Sequence, residues 1–251
     1  MNDLKKRAES LLKDGPVKYE SSPRRVRVLQ NSAYIFDTTS AILVWEHPYY
    51  PQYYLPEKAL QYAKEALLDG GDGYLISQIY LPGDNTEKHP NAIHFQHGLL
   101  AGYIRLDFRN FHWFEEDDQI FVHPTDPYKR IDVRRSARPI SVELDGVVLA
   151  ESAFAEHLYE TMLPVRYYLP WTSVDWQYVK PSDTTTQCPY KGTANYFDVV
   201  INGKVYKDLI WWYRTTLPEV VQVTNMICFY SEKVDTILDG KKLDRPKSKF
   251  G

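Results

Sequence analysis

Alternating apolar and polar residues run through most of the chain and predict strands. Residues 26–29 and 33–36 alternate on either side of a short turn, which predicts an antiparallel hairpin. Residues 4, 8, 11 and 12 are apolar at helical spacing, and Gly15 with Pro16 ends that helix. Further strand-like stretches lie at 104–108, 111–114, 119–122, 206–213, 220–223, 226–230 and 233–238. The pattern predicts a mainly β fold of the α+β class with an N-terminal helix.

The same order of elements occurs twice along the chain. Residues 24–60 align without a gap on residues 138–174 at a constant offset of 114, and Tyr-Tyr-Leu-Pro falls in register in both copies. We interpret this match as an internal duplication, with residues 130–133 as the last strand of the first copy. The predicted domains are an N-terminal helix and linker at 1–23, a degenerate first repeat at 24–134, a second repeat at 138–240 and a polar tail at 241–251.

The two repeats differ after this shared block. In the first, residues 56–68 predict a helix that ends at Gly70 and Gly71. The second instead carries Pro-Ser-Asp-Thr-Thr-Thr-Gln-Cys-Pro-Tyr-Lys-Gly-Thr-Ala-Asn-Tyr at 181–196, which we interpret as a loop. No other stretch places so many hydroxyls, a carboxylate, a thiol, an amine and two phenols between apolar strands. We therefore expect one functional site, in the second repeat only.

Composition and charge restrict the partners that this fold can have. The 20 Tyr, 10 Phe and 6 Trp suit half-buried sheet faces and pocket walls. A formal net charge of -3 attracts neither nucleic acid nor an anionic membrane, so neither is expected as a partner. Two cysteines cannot form a disulfide framework, and no run approaches the ~20 apolar residues of a membrane span. These features predict a cytoplasmic protein.

The stretch 181–196 contains two groups of reactive side chains. Asp183 precedes three threonines, a cluster that caps backbone N–H groups or directs hydroxyls towards a ligand. The alternative is that these groups only brace the loop on its sheet. Lys191 lies three residues after Cys188, and a nearby positive charge favours the reactive thiolate. The alternative is a buried, inert cysteine.

Aromatic residues cluster in the second repeat and suit the walls of a small-molecule pocket. Ordinary core packing is the alternative. Because side chains alternate between the faces of a sheet, only one of Trp211 and Trp212 is expected to point inward. The candidate catalytic residues are Asp183, Cys188 and Lys191. The predicted ligand-binding residues are Tyr168, Asp183, Thr184, Thr185, Thr186, Tyr190, Lys191, Tyr196, Trp211 and Trp212.

Several blocks of the second repeat resemble a family known as domain of unknown function 427. The resemblance covers residues 138–240 strongly and residues 24–133 as a degenerate copy, and it implies two tandem Mss4-like, or β-tent, repeats of antiparallel sheet with a few short helices. The blocks that carry it are Glu151-Ser152, Tyr167-Tyr168-Leu169-Pro170, the stretch 181–196, Trp211-Trp212-Tyr213 and Phe229-Tyr230-Ser231-Glu232-Lys233-Val234-Asp235.

The resemblance does not imply a metal or cofactor for this chain. Many β-tent relatives hold zinc through two Cys-x-x-Cys pairs, and the sequence has neither pair. His94 and His97 have a spacing that zinc accepts, but the sequence offers no third ligand. The resemblance also suggests nucleotidyl transfer, yet no Gly-Ser or Asp-x-Asp pair is present to bind metal and triphosphate. We expect no metal and no cofactor.

These features favour binding of a small, elongated, partly apolar molecule in an aromatic-walled pocket closed by the 181–196 loop. We expect a monomer whose repeats pack as an internal pseudo-dimer. One alternative is an enzyme of unknown reaction, with Asp183 as acid or base or Cys188 as nucleophile, and Lys191 polarising a small substrate. A second alternative is a structural or protein-interaction module, in which the aromatics of residues 48–56 form an exposed patch.

Overall fold

The computed structural model describes residues 2–83 and 89–248. It divides into two compact units, the first ending at residue 126 and the second beginning at residue 127. In both units, neighbouring strands of each sheet pair antiparallel.

The first unit pairs a seven-stranded sheet with a four-stranded one. Its elements are α1 (Asn2–Asp14), β1 (Lys18–Ser21), β2 (Val26–Gln30), β3 (Ala33–Thr38), β4 (Ile42–Trp45), β5 (Gln52–Pro56), β6 (Lys64–Gly71), β7 (Tyr74–Tyr80), β8 (Ala92–Phe95), β9 (Tyr103–Leu106), β10 (His112–Glu115) and β11 (Asp118–Ile120). The large sheet has the order β1-β4-β5-β9-β8-β7-β6, and the small sheet has the order β11-β10-β2-β3.

The second unit repeats this arrangement strand for strand. Its elements are β12 (Ile131–Ser136), β13 (Ile140–Leu144), β14 (Val147–Ser152), β15 (Ala155–Glu160), β16 (Arg166–Pro170), β17 (Val179–Cys188), β18 (Gly192–Ile201), β19 (Lys204–Tyr213), β20 (Met226–Phe229), β21 (Asp235–Leu238) and β22 (Lys241–Lys242). The sheet orders are β12-β15-β16-β20-β19-β18-β17 and β14-β13-β21-β22. The predicted mainly β fold of two antiparallel repeats is confirmed.

Each large sheet is covered by apolar packing on both faces. In the first unit one face packs against the small sheet through residues such as Leu55 and Trp113. The other face packs against α1, whose Leu4, Ala8 and Leu11 are buried on it. The predicted N-terminal helix is therefore confirmed, and the reason is that its apolar stripe completes a core.

The prediction that residues 181–196 form a loop is wrong. They lie in a hairpin in which β17 and β18 pair from Val179↔Val199 to Cys188↔Gly192. Polar threonines in sequence suggested a loop, but β-branched residues favour extended backbone once a neighbouring strand is present. Gly192, with φ of +106°, allows the tight turn at the hairpin tip.

The first unit has a hairpin at the same place in its sheet, so the expected difference between the repeats is not a missing segment. Residues 56–68 do not form the predicted helix but a 3₁₀ turn at Glu57–Ala59 followed by β6. Pairing of β6 with β7 overrides the helix propensity of the Ala, Lys, Glu and Leu residues there. Gly70 and Gly71 end β6 and not a helix.

Two further strand predictions need correction. Residues 131–133 of this predicted strand fall in β12, which pairs with β15 and is therefore the first strand of the second unit, not the last of the first. Residues 220–223 lie in the 3₁₀ segment Pro218–Val223, where Val220 and Val223 are buried against the large sheet. Apolar periodicity alone could not separate this short buried segment from a strand.

Candidate functional site

The first half of the hairpin motif braces the sheet. The pairing register shifts between Pro181 and Thr185, which marks a bulge, and β19 has a matching irregularity. Ser182 Oγ and Thr184 Oγ1 donate hydrogen bonds to the two carboxylate oxygens of Asp208, at 2.6 and 2.9 Å. Asp208 itself has φ of +51°. Ser182 and Thr184 therefore only brace this segment on its sheet, which is the alternative to ligand binding considered above. Asp183 and Thr185 are exposed.

The second half of the motif contacts a buried aromatic cluster on one face of the large sheet. Trp211 Nε1 donates to the Tyr168 hydroxyl at 3.1 Å, and its ring lies 4.6 Å from that of Tyr230. Thr186 Oγ1 and the Tyr196 hydroxyl are 2.8 Å apart. Burial raises the pKa of Tyr168 well above its usual range. Because Tyr168 and Trp211 pack against each other, they do not form the two walls of an open pocket.

Lys191 belongs to a buried group of charges at the hairpin tip. Its ammonium bonds to Glu160 Oε2, and Lys129 Nζ lies 3.3 Å from Glu160 Oε1. Lys129 also lies 5.8 Å from the centre of the Tyr190 ring. The exposed fractions of the Lys129, Glu160 and Lys191 side chains are 14%, 6% and 9%. The Lys191 ammonium is thus ion-paired with Glu160 and does not point into solvent.

A second buried ion pair lies beside Trp211 on the same face of the large sheet. Arg166 donates two hydrogen bonds of 2.6 Å to the carboxylate of Glu232, and a third of 3.1 Å to Ser231 Oγ. The guanidinium lies 5.4 Å from the Trp211 ring centre. Burial opposes ionisation of Glu232, but hydrogen bonds from Arg166 and Ser248 outweigh it and lower its pKa to about 2. Sequence reasoning missed this pair, although Glu232 lies in one of the family-like blocks.

The opposite face of the same sheet carries a partly open group of rings, here named the aromatic platform: Trp171, Trp176, Phe197 and Trp212. Trp171 stacks on Trp176 at 4.5 Å between ring centres and meets Trp212 edge-on at 5.1 Å. Trp171 is 37% exposed, and the other three rings are half-buried. Trp211 and Trp212 therefore lie on opposite faces, as strand alternation requires. Trp171 and Trp176 were missed because they lie in 3₁₀ turns without a strand or helix period.

Polar side chains continue the platform across the sheet. Trp212 is paired with Asn195, and Asn195 with Thr185, so these three point to the same face of neighbouring strands. Arg214 lies over the Trp212 ring, with 5.7 Å between the guanidinium carbon and the ring centre. The platform thus combines a flat apolar surface and the cation of Arg214 with a polar margin formed by Asn195 and Thr185.

The first unit carries different chemistry at the equivalent positions. The 114-residue offset and the strand registers place Glu57, Ser77 and His94 where the second unit has Trp171, Phe197 and Trp212. His94 Nε2 lies 2.9 Å from Ser77 Oγ and 2.7 Å from Glu65 Oε1, and its Nδ1 lies 3.1 Å from Glu57 Oε1. The platform is therefore a property of the second unit alone.

The metal-binding possibility has no geometric counterpart in residues 2–83 and 89–248. His94 is occupied by these carboxylates and Ser77, while His97 lies 3.5 Å from Asp72 at the surface. No group of three or more His, Cys, Asp or Glu side chains in these ranges is arranged to hold a metal ion.

Residues 181–196 and the aromatic platform line none of four well-defined cavities among the described residues. The largest two have volumes of about 510 Å³ in the first unit and 540 Å³ in the second. A ligand that contacts the aromatic platform would therefore lie against its partly exposed rings, outside these four cavities.

The two cysteines are expected to react very differently. Cys188 is half-buried at the hairpin tip, whereas Cys228 is fully buried and burial raises its pKa. Iodoacetamide at neutral pH should label one thiol in the folded protein and the second only after denaturation, as counted by mass spectrometry. Cys188→Ser should abolish native labelling. Labelling of Cys188 much faster than free glutathione would instead favour the enzymatic alternative.

These features define a class of two-unit antiparallel β proteins, in which each unit pairs a seven-stranded with a four-stranded sheet and the second carries the aromatic platform. The chain belongs to the family described as a domain of unknown function, DUF427, whose model matches residues 18–69 and 132–240. The resemblance found in the sequence is confirmed, and the second matched segment contains the whole platform. No curated protein matches the chain. No described helix has the length and apolar character needed to cross a membrane.

Proposed function

We propose that the second unit binds a small, elongated, partly apolar molecule on the aromatic platform. The observation that carries this proposal is the contrast between the units. The first unit builds the same sheet with Glu57, Ser77 and His94 at the positions of three platform rings. The fold therefore does not require aromatic residues there, and half-exposed rings at such positions are suited to ligand contact.

The geometry favours an elongated ligand. A ring or apolar chain can lie against Trp171 and Trp212, where flat aromatic surface remains accessible. From Trp212 to Thr185 the polar margin crosses two strand spacings, a reach of about 10 Å. Asn195 and Arg214 then offer hydrogen-bond donors to the polar end of the ligand.

Binding is better supported than the two alternatives. An enzyme using Lys191 to polarise its substrate would first have to break a buried ion pair with Glu160. An interaction module built on residues 48–56 would need an aromatic patch, yet of the four tyrosines in that segment Tyr49 alone is exposed. Gln52–Pro56 is buried, and the Tyr50 ring stacks on His123 at 4.1 Å. The reactivity of Cys188 remains the test of the enzymatic alternative.

Removing single platform rings should weaken binding without unfolding the protein. A thermal-shift screen of metabolites would supply ligands, and tryptophan fluorescence titration would give their Kd values. Trp171→Ala and Trp212→Ala should each raise Kd about tenfold or more, because aromatic contacts at binding sites contribute more than about 1 kcal/mol each. Tyr159→Ala, which removes a ring 43% exposed on β15, should leave Kd unchanged.

Trp171 is the more exposed of the two rings, so its replacement should affect folding less than that of Trp212. A loss of binding in Trp171→Ala can therefore be separated from a loss of fold. Far-ultraviolet circular dichroism of Trp171→Ala should match the wild type. Ligands that bind Trp171→Ala, Trp212→Ala and wild type with equal Kd would overturn the proposal, as would a screen without any stabilising ligand.

A further inference from the structure

The cavity of about 510 Å³ in the first unit lies between α1 and the large sheet. Arg7 and Lys6 of α1 contribute to its wall, and Arg105 and Arg109 contribute from β9 and the turn that follows. Three carboxylates, including Glu46 and Asp107, also line it. Four cationic against three anionic side chains leave the described lining with a formal charge of +1.

Two of these cations meet at Glu46. Arg7 bonds to Glu46 Oε2, and Arg105 Nε donates to Oε1 at 2.9 Å, so two guanidiniums share one carboxylate. The exposed fractions of the Arg105 and Glu46 side chains are only 9% and 3%, which limits screening by water. Burial opposes ionisation of Glu46, but Arg105 and Arg7 outweigh it and keep its pKa below its usual value. At neutral pH the carboxylate is therefore charged, and Arg7 and Arg105 together carry one positive charge more than Glu46 balances.

The remaining cations are placed towards solvent. Arg109 is paired with Asp107 at 3.0 Å, and its side chain is 86% exposed. Lys6 is exposed on α1. A guanidinium has five N–H donors, so Arg7 and Arg109 can each keep their carboxylate and still donate to a second acceptor.

We propose that this cavity binds a small organic anion through a phosphate or carboxylate group. Guanidiniums match both groups in geometry and form strong charge-assisted hydrogen bonds with them. The volume lies within the range of about 300–1,000 Å³ typical of small-molecule sites. Leu4 and Leu11 in the lining accommodate the apolar part of such a molecule.

The second unit provides an internal comparison. Glu160, which the 114-residue offset aligns with Glu46, also holds two cations, Lys129 and Lys191. Neither these lysines nor Glu160 line any of the four cavities. Among these four cavities, only the one in the first unit is lined by such a shared carboxylate, and the anion site is therefore assigned to the first unit.

Binding of inorganic phosphate and of citrate, measured by isothermal titration calorimetry at constant ionic strength, tests this site. We expect at least one of the two probes to bind the wild type with a measurable Kd and to raise Tm more than chloride does at the same ionic strength. Arg109→Gln and Lys6→Gln should each raise that Kd severalfold, and the double variant about tenfold or more.

Arg130→Gln is the matched control. Arg130 is also an exposed arginine, with a side chain 76% accessible and a pairing at 3.2 Å to an aspartate two residues away, but it belongs to the second unit. Its replacement changes net charge equally and should leave Kd unaltered. If neither probe binds, if chloride has the same effect, or if Arg109→Gln and Arg130→Gln have the same Kd, the assignment is wrong. Neither result bears on the aromatic platform.

Discussion

Replacing Glu160 with glutamine should destabilise the second unit by about 3–5 kcal/mol, because two largely buried lysine ammonium groups would lose the carboxylate that they share. The exposed fractions of all three side chains are 14% or less, so water cannot compensate the loss. Urea unfolding followed by tryptophan fluorescence measures this effect, since four of the six tryptophans lie in the second unit.

Two further variants separate charge from packing. Glu151→Gln, at an exposed position on β14, should change the unfolding midpoint little. Replacing Lys129, Glu160 and Lys191 together by apolar residues of similar size should recover much of the stability, because no uncompensated charge is then buried. A Glu160→Gln protein as stable as Glu151→Gln would show that these three charges are hydrated in solution.

Glu232→Gln should lower stability by about 3 kcal/mol at neutral pH and have little effect near pH 2. The pKa of Glu232 is lowered to about 2 in the folded protein, against about 4.3 for an unfolded chain. A lowered carboxyl pKa stabilises the fold above the unfolded value, and that contribution is lost as the pH falls through the folded value. The free energies of unfolding of wild type and variant should therefore converge between about pH 5 and pH 2.

Denaturant titrations across this pH range measure the convergence. Glu219→Gln, at an exposed position in the 3₁₀ segment Pro218–Val223, should run parallel to the wild type throughout. A constant difference between wild type and Glu232→Gln at all pH values would mean that the amide disturbs packing and that the Arg166 ion pair is not the cause.

Much of the fold was predictable because the information is local or repeated. The apolar stripe of α1, the hairpin of β2 and β3, and the recurrence of Tyr-Tyr-Leu-Pro are all visible in short windows of sequence. The wrong helix at residues 56–68 and the wrong loop at residues 181–196 share one cause. In both, pairing with the next strand of a hairpin determines the backbone, and the propensity of the segment taken alone does not contain that pairing.

The sequence identified reactive residues of the candidate site, but it did not identify the residues that they contact. Sequence identified Lys191 and Trp211 as chemically distinctive, yet their partners Glu160 and Tyr168 lie 31 and 43 residues away. Arg166 and Glu232 are 66 residues apart and become a pair only through the sheet order. The exposure of each face of β19 likewise depends on the residues that pack against it. Trp212 lies on the face that remains accessible.

The bulge in β17 has a consequence for how the protein behaves at high concentration. β17 is the last strand of its sheet, and an unpaired strand edge is a template for pairing with another chain. Proline, charged side chains and bulges hinder such pairing. β17 has all three, in Pro181, in Lys180 and Asp183, and in the irregular residues 182–184. The exposed carboxylate of Asp183, first considered as an acid or base, thus helps to keep neighbouring molecules from joining edge to edge into aggregates.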